Sequence, residues 1–202
     1  MQKQKILEFC ETKFTQLGFW DISLDHLAKE LRISKKTFYK YFDSKDEIIQ
    51  NVVESVTTKI ADAVQDIVKS DGTSPEKLYR LIEFISRRFI SISEKWLNDL
   101  SIHYPHLWAN LEDFRENMIN KNLTELIIQG QNEGYIKEYP VNLIMAIYLS
   151  SIRGVANPKF IMNNNMSIEK AGTSVLTIIT SGILTRKGNK VFKNYLSENK
   201  NE

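Results

Sequence analysis

Ser23-Leu-Asp-His-Leu-Ala-Lys-Glu-Leu-Arg-Ile-Ser-Lys-Lys-Thr-Phe-Tyr-Lys-Tyr-Phe-Asp-Ser-Lys45 reads as two short helices joined by one tight turn. Ser23 is placed to cap the first helix, and Leu24, Leu27, Ala28 and Leu31 recur at the three- and four-residue spacing of one buried helical face. The pattern breaks at Arg32-Ile33. Ser34 then caps a second helix whose Phe38 and Phe42, four apart, can pack back onto the first. What remains points outward and is basic: from Arg32 to Lys45 there are five cations, Arg32, Lys35, Lys36, Lys40 and Lys45, against the single acid Asp43. This is the pattern of a helix-turn-helix whose second helix faces a polyanion.

On the N-terminal side, Lys3 to Leu17 forms an amphipathic helix with Ile6, Leu7, Phe9, Cys10, Phe14 and Leu17 on or near one face, closed by Gly18. Phe19 and Trp20 are expected as an apolar plug between that helix and the reading pair. On the C-terminal side, Ser44-Lys-Asp-Glu47 is a capping box in which the Glu47 carboxylate should reach the amide of Ser44. It opens a long helix to about Ser70, which should join the first part of the chain to the rest without a flexible linker. Ser74-Pro75 opens another helix, Pro105 interrupts or restarts one, and Gly134 ends one. Two more span Val141 to about Val155 and Ser167 to about Thr185, with an irregular connection expected through Asn157-Pro158 and Asn163 to Asn165. The lysine-rich tail from Arg186 carries a partly helical pattern. With only eight glycines and four prolines, and little strand-type alternation, the chain reads as all-α.

Ile33-Ser-Lys-Lys-Thr-Phe-Tyr-Lys-Tyr-Phe-Asp-Ser-Lys-Asp-Glu-Ile48 resembles the signature of the TetR/AcrR family of bacterial transcriptional repressors. Two positions depart from many members: Arg32 stands where glycine is common, and Lys36 where a small residue is. A left-handed Arg32 would cost about 1 kcal/mol. The resemblance implies a three-helix DNA-binding domain over residues 1–47, followed by a larger helical effector-binding and dimerisation domain over 48–202. Lys35, Lys36 and Thr37 at the start of the second helix are the candidates for base edges. Tyr39, Tyr41 and Lys45 match family positions that hold phosphates, and Ser23, Ser34 and Lys40 complete the expected DNA-contact set. The expected partners are a near-palindromic double-stranded operator, a second copy of the chain and a small-molecule effector. A protein-interaction adaptor on the same scaffold, with DNA binding lost, is the alternative.

Phe84, Phe89, Trp96, Tyr104, Trp108, Phe114 and Met118 fit either a packed core or a ligand cavity. The resemblance favours the cavity, and Arg87, Arg88 or Arg115 could meet an anionic effector there. Leu143, Ile147 and Ser151 on one late helix, with Ala171, Val175, Ile179 and Gly182 on the next, form apolar, small-residue faces suited to a twofold interface. Ile144, Gly154, Gly172 and Ile183 extend them.

At 202 residues, 42% hydrophobic and 26% charged, the chain can bury a substantial core. The net charge of +2 is too small to imply nucleic acid by itself, so the local clustering carries that reading. The lone Cys10 excludes an intrachain disulfide framework and suits a buried thiol in a reducing cytoplasm. No signal peptide or long apolar run is read, so the expected location is cytoplasmic, with no membrane partner. His103-x-x-His106 is interrupted by Pro105 and lacks a third ligand, so no metal or other cofactor is expected. No phosphate loop or nucleophile motif appears, and an enzyme is not expected.

Overall fold

The computed structural model describes residues 2–155 and 158–199, without the side chains of residues 88–91, 158, 168 and 196–199. Among the described residues there are eleven helices and no strand, so the protein is all-α. They are α1 (Gln2–Leu17), α2 (Leu24–Glu30), α3 (Lys35–Tyr39), α4 (Lys45–Lys69), α5 (Ser74–Ser91), α6 (Glu94–His103), α7 (Pro105–Asn132), α8 (Val141–Val155), α9 (Pro158–Asn164), α10 (Ile168–Ile183) and α11 (Arg186–Asn199). No described helix is long and apolar enough to cross a membrane.

The chain forms two compact units, Met1–Ile60 with Ser91–Asp113, and Ala61–Ile90 with Phe114–Glu202. The chain passes from one to the other within α4, returns at the end of α5 and crosses again within α7. In the first unit Ile6, Cys10 and Phe14 on successive turns of α1 are buried with Phe19, Leu27, Phe38, Phe42, Ile48, Val52, Trp96 and Leu100. Phe14 and Phe19 meet edge to face at 5.9 Å, and Phe19 meets Tyr104 at 5.5 Å. Burial pushes the Cys10 thiol up to about 12, because a thiolate there would lose its hydration.

In the second unit Leu78, Leu126, Ile127, Ile144, Met145, Ile183 and Phe192 supply the core. Tyr148 and Thr180, both buried, satisfy each other's hydroxyls at 2.7 Å and tie α8 to α10. The buried Lys77 donates its ammonium to the Val68 carbonyl at 3.0 Å and to Gln129 Oε1 at 3.1 Å, so a cation caps the end of α4.

Two segments differ from the sequence expectation, while Pro105 meets it as a helix restart. The Asn-rich connection contains the helix α9, opened by Pro158 at a position where its missing N–H is harmless and ended by left-handed Asn165 at φ 47°. The basic tail is helical from Arg186 to Asn199, because Phe192 and Tyr195 dock edge to face on Tyr79 of α5. Pro105 starts α7 outright, and that helix runs unbroken to Asn132.

Candidate nucleic-acid interface

The reading pair begins at two caps. Ser23 Oγ accepts from the His26 amide at 3.2 Å and Ser34 Oγ from the Thr37 amide at 3.1 Å, each satisfying a donor that the first helical turn leaves unpaired. Between the helices Arg32 takes φ 55°. Its amide donates to the Lys29 carbonyl at 3.1 Å, and the Ile33 amide to that of Ala28 at 3.0 Å. This pair of bonds is a Schellman termination with arginine at the position that normally favours glycine.

α3 then holds Phe38 inward at 0% exposure, and Phe42, one turn beyond the helix end, donates its amide to the Phe38 carbonyl at 3.0 Å and is buried too. With the apolar side consumed, Lys35, Lys36, Tyr39 and Lys40 are exposed, while Thr37 and Tyr41 are half-buried. Lys35 is held by Asp25 of α2 at 2.9 Å, and that hydrogen bond, with the charge behind it, keeps its ammonium above the usual lysine range. Lys40 lies over the Tyr41 ring at 5.6 Å. Ser34 and Thr37 also share a hydroxyl bond of 2.8 Å. Ser44 caps α4 by accepting from Glu47, but the Glu47 carboxylate bonds the amide of Asp43 at 2.6 Å, one residue earlier than a regular capping box places it.

Lys45 is half-buried and donates to the Trp20 carbonyl at 2.9 Å. Desolvation lowers its pKa, partly offset by Asp99, Asp46 and Asp21. Trp20 is not the expected plug: Phe19 fills that place at 0% exposure, whereas Trp20 is 51% exposed and stacks on His103 of α6 at 3.5 Å and 4°. Asp99 of α6 accepts from the amides of Phe19 at 2.7 Å and Trp20 at 2.9 Å, and Lys95 pairs with Asp21 at 2.6 Å. Residues 95, 99 and 103 share one polar stripe of α6, next to the buried Trp96 and Leu100. The four-residue spacing is visible in the sequence, but its partner lies 80 residues away and leaves no local signal.

The expected ligand set divides. Trp96, buried at 1%, Tyr104 and Trp108 belong to the unit that carries the reading pair, where the Tyr104 hydroxyl bonds Asp46. Burial, then Asp46, raises the Tyr104 pKa. Phe84, Phe114 and Met118 are half-buried in the other unit, and the side chains of Arg88 and Phe89 lie outside the described residues. Trp96 is packed in the core of the first unit. On α8, Leu143 and Ile147 face outward with Ser151 half-buried, while Ile144 is buried. On α10, Ala171 is 1% exposed and belongs to the protomer's own core. Val175 and Ile179 are half-buried, and Gly182 is exposed beside Ile178. Among the described residues no group of three or more His, Cys, Asp or Glu is arranged to hold a metal.

The model of the tetR family of bacterial regulatory proteins matches residues 11–52, from the middle of α1 into α4. The HTH-type transcriptional regulator YvaF of Bacillus subtilis (strain 168) is 23% identical over 169 residues, covering 83% of this chain and 88% of YvaF. IcaR of Staphylococcus aureus (strain Newman), the negative regulator of the icaADBC biofilm operon, is 26% identical over 139 residues, 67% of this chain and 72% of IcaR. A regulator from Saccharomonospora viridis solved with choline superposes with a TM-score of 0.70 at 17% identity, over 92% of this chain and 98% of its own. A TM-score of 0.59 at 19% identity relates the chain to KstR2 of Mycobacterium tuberculosis, over 92% and 96%. The chain thus carries the tetR-family match across its helix-turn-helix, and over most of its length it is similar to HTH-type transcriptional regulators.

Proposed function

We propose that this protein is a homodimeric TetR-family repressor that binds a near-palindromic operator in the bacterial cytoplasm and leaves it when a small molecule binds its C-terminal part. The observation that carries the DNA reading is the division of α3: Phe38 is sealed inward, while Lys35, Lys36, Tyr39 and Lys40 are left in water on a helix with a capped start. Lys36 and Thr37 would meet base edges, lysine as a donor to guanine and the threonine methyl against thymine. Lys35 would join them by exchanging Asp25 for the duplex. Tyr39, Lys40, Tyr41, Ser23 and Ser34 would hold backbone phosphates. Lys45 would reach a phosphate only by leaving the Trp20 carbonyl. Negative regulation by IcaR supports the sign of control.

Two reading helices must enter successive major grooves about 34 Å apart, which requires two copies of the chain. Leu143 and Ile147 on α8 and Ile178 with Gly182 on α10 are the outward faces that support pairing through these helices. Phe84, Phe114 and Met118 are the remaining effector candidates. A ligand that prefers a different helix separation would weaken operator binding by its preference between the two states. The test is selection of duplexes from a random pool, followed by titration of candidate ligands into the selected complex. Enrichment of a palindrome and its release by a ligand support the reading; binding without sequence enrichment refutes it.

A further inference from the structure

We propose that Asp99 is a positioning residue of the reading head, fixing from α6 the turn that leads into α2. The inference rests on the DNA-binding reading and adds to it a residue outside the helix-turn-helix. Gly18 ends α1 at φ 75°, and a Cβ there would lie 2.6 Å from Asp99 Oδ2 and 2.6 Å from Lys95 Cγ. Glycine thus serves twice: it takes the left-handed backbone and leaves room for α6 to approach. Into that room goes a carboxylate only 4% exposed, whose Oδ2 receives two successive amides, those of Phe19 and Trp20. Bonds to a charged acceptor are the strong kind, and here they fix the direction of two consecutive peptide planes.

The neighbouring turns of α6 extend the hold, through Lys95 on Asp21 and His103 on the Trp20 ring. Without DNA the Trp20 backbone is therefore held on both sides, its N–H by Asp99 and its carbonyl by Lys45 from the start of α4, and Asp99 keeps its hold when Lys45 turns to a phosphate. Ser23, which caps α2, follows three residues later. Asp99 touches no base or phosphate in this arrangement; its effect on DNA passes through the aim of α2 and the α3 packed on it. Loss of that aim reduces specific affinity, while the phosphate-facing cations remain in place.

The experiment compares wild type and Asp99→Asn on the selected operator and on a scrambled duplex across a salt series, with circular dichroism and thermal melts as the folding check. Operator affinity should fall about tenfold, within the usual range of coupling between sites, with scrambled-duplex affinity and the salt slope unchanged. A folded Asp99→Asn that binds the operator within twofold of wild type, or that loses both duplexes in proportion, overturns the proposal. If Asp99→Asn fails to fold, the exposed pair decides: Lys95→Asp should weaken operator binding about threefold at unchanged salt slope, and adding Asp21→Lys should restore it. No effect of Lys95→Asp, or no rescue, overturns it. A wild-type protein that selects no sequence at all refutes the DNA reading and is a separate outcome.

Discussion

The α2–α3 pair and the α8–α10 pair are built alike and finished differently. Each packs two helices through an apolar seam, Leu27 and Phe38 in one, Ile144, Tyr148 and Thr180 in the other. Each leaves a face that the protomer's own core does not use. On α3 that face carries ammonium groups and a phenol, which lose strong hydration if buried and gain most from a polyanion. On α8 and α10 it carries Leu143, Ile147 and the 70% exposed Ile178, beside Gly154 and Gly182, where an added Cβ would meet nothing within 4 Å. Such a surface gains by leaving water, and glycines with open space above them admit another backbone closely. The contrast teaches that the chemistry of an outward face, more than its helical scaffold, selects the class of partner.

Removing the seam should have the largest effect. Phe38→Ala should lower stability by about 3–5 kcal/mol, read by denaturant melts, and abolish DNA binding through loss of the head. A stable variant with selective loss of binding would instead move Phe38 to the DNA side of the comparison. Next, if the proposed pairing runs through α8 and α10, Ile178→Lys should weaken self-association by about 2–4 kcal/mol, giving monomers by sedimentation at unchanged helicity. Persistence of the dimer in both Ile178→Lys and Ile147→Lys would place the interface elsewhere. Lys36→Ala should shift base preference at one position per half-site by about 1–3 kcal/mol in a selection experiment. Uniform weakening on every sequence would reduce Lys36 to a phosphate contact. The smallest change is Arg32→Gly, which relieves the left-handed arginine and should raise the melting midpoint by an amount equivalent to about 0.5–1 kcal/mol, without altering base preference.

Most of the fold was legible because its boundaries are written in local chemistry. Ser23, Ser34 and Ser44 cap helices within three residues of their partners, and Gly18 and Gly134 take the left-handed conformations that end α1 and α7. The left-handed turn at Arg32, φ 55°, was suggested by the family resemblance, which puts it where many members carry glycine. What stayed hidden depends on partners far along the chain. Trp20 looked like a plug because nothing near it in sequence announces His103, and periodicity tells which side of a helix is apolar but not what it meets. In α10 the apolar residues Ala171, Val175, Leu176, Ile178, Ile179 and Ile183 form one broad stripe that holds both the buried Ala171 and Ile183 and the 70% exposed Ile178. Its inward and outward sides therefore could not be separated until Thr180 was seen bonded to Tyr148.

Cys10 sits at 0% exposure in the seam of α1 with its proton held to about pH 12. Thiol reagents and peroxides act on the thiolate, so the native fold is chemically silent toward them. The thiol becomes reactive only during the moments when the first unit opens and the group regains its ordinary acidity. Modification of this single sulfur is then a counter of opening events, with a rate set by the opening equilibrium when closing outruns the chemistry. In that regime the residue reports the fraction of time the first unit stands open.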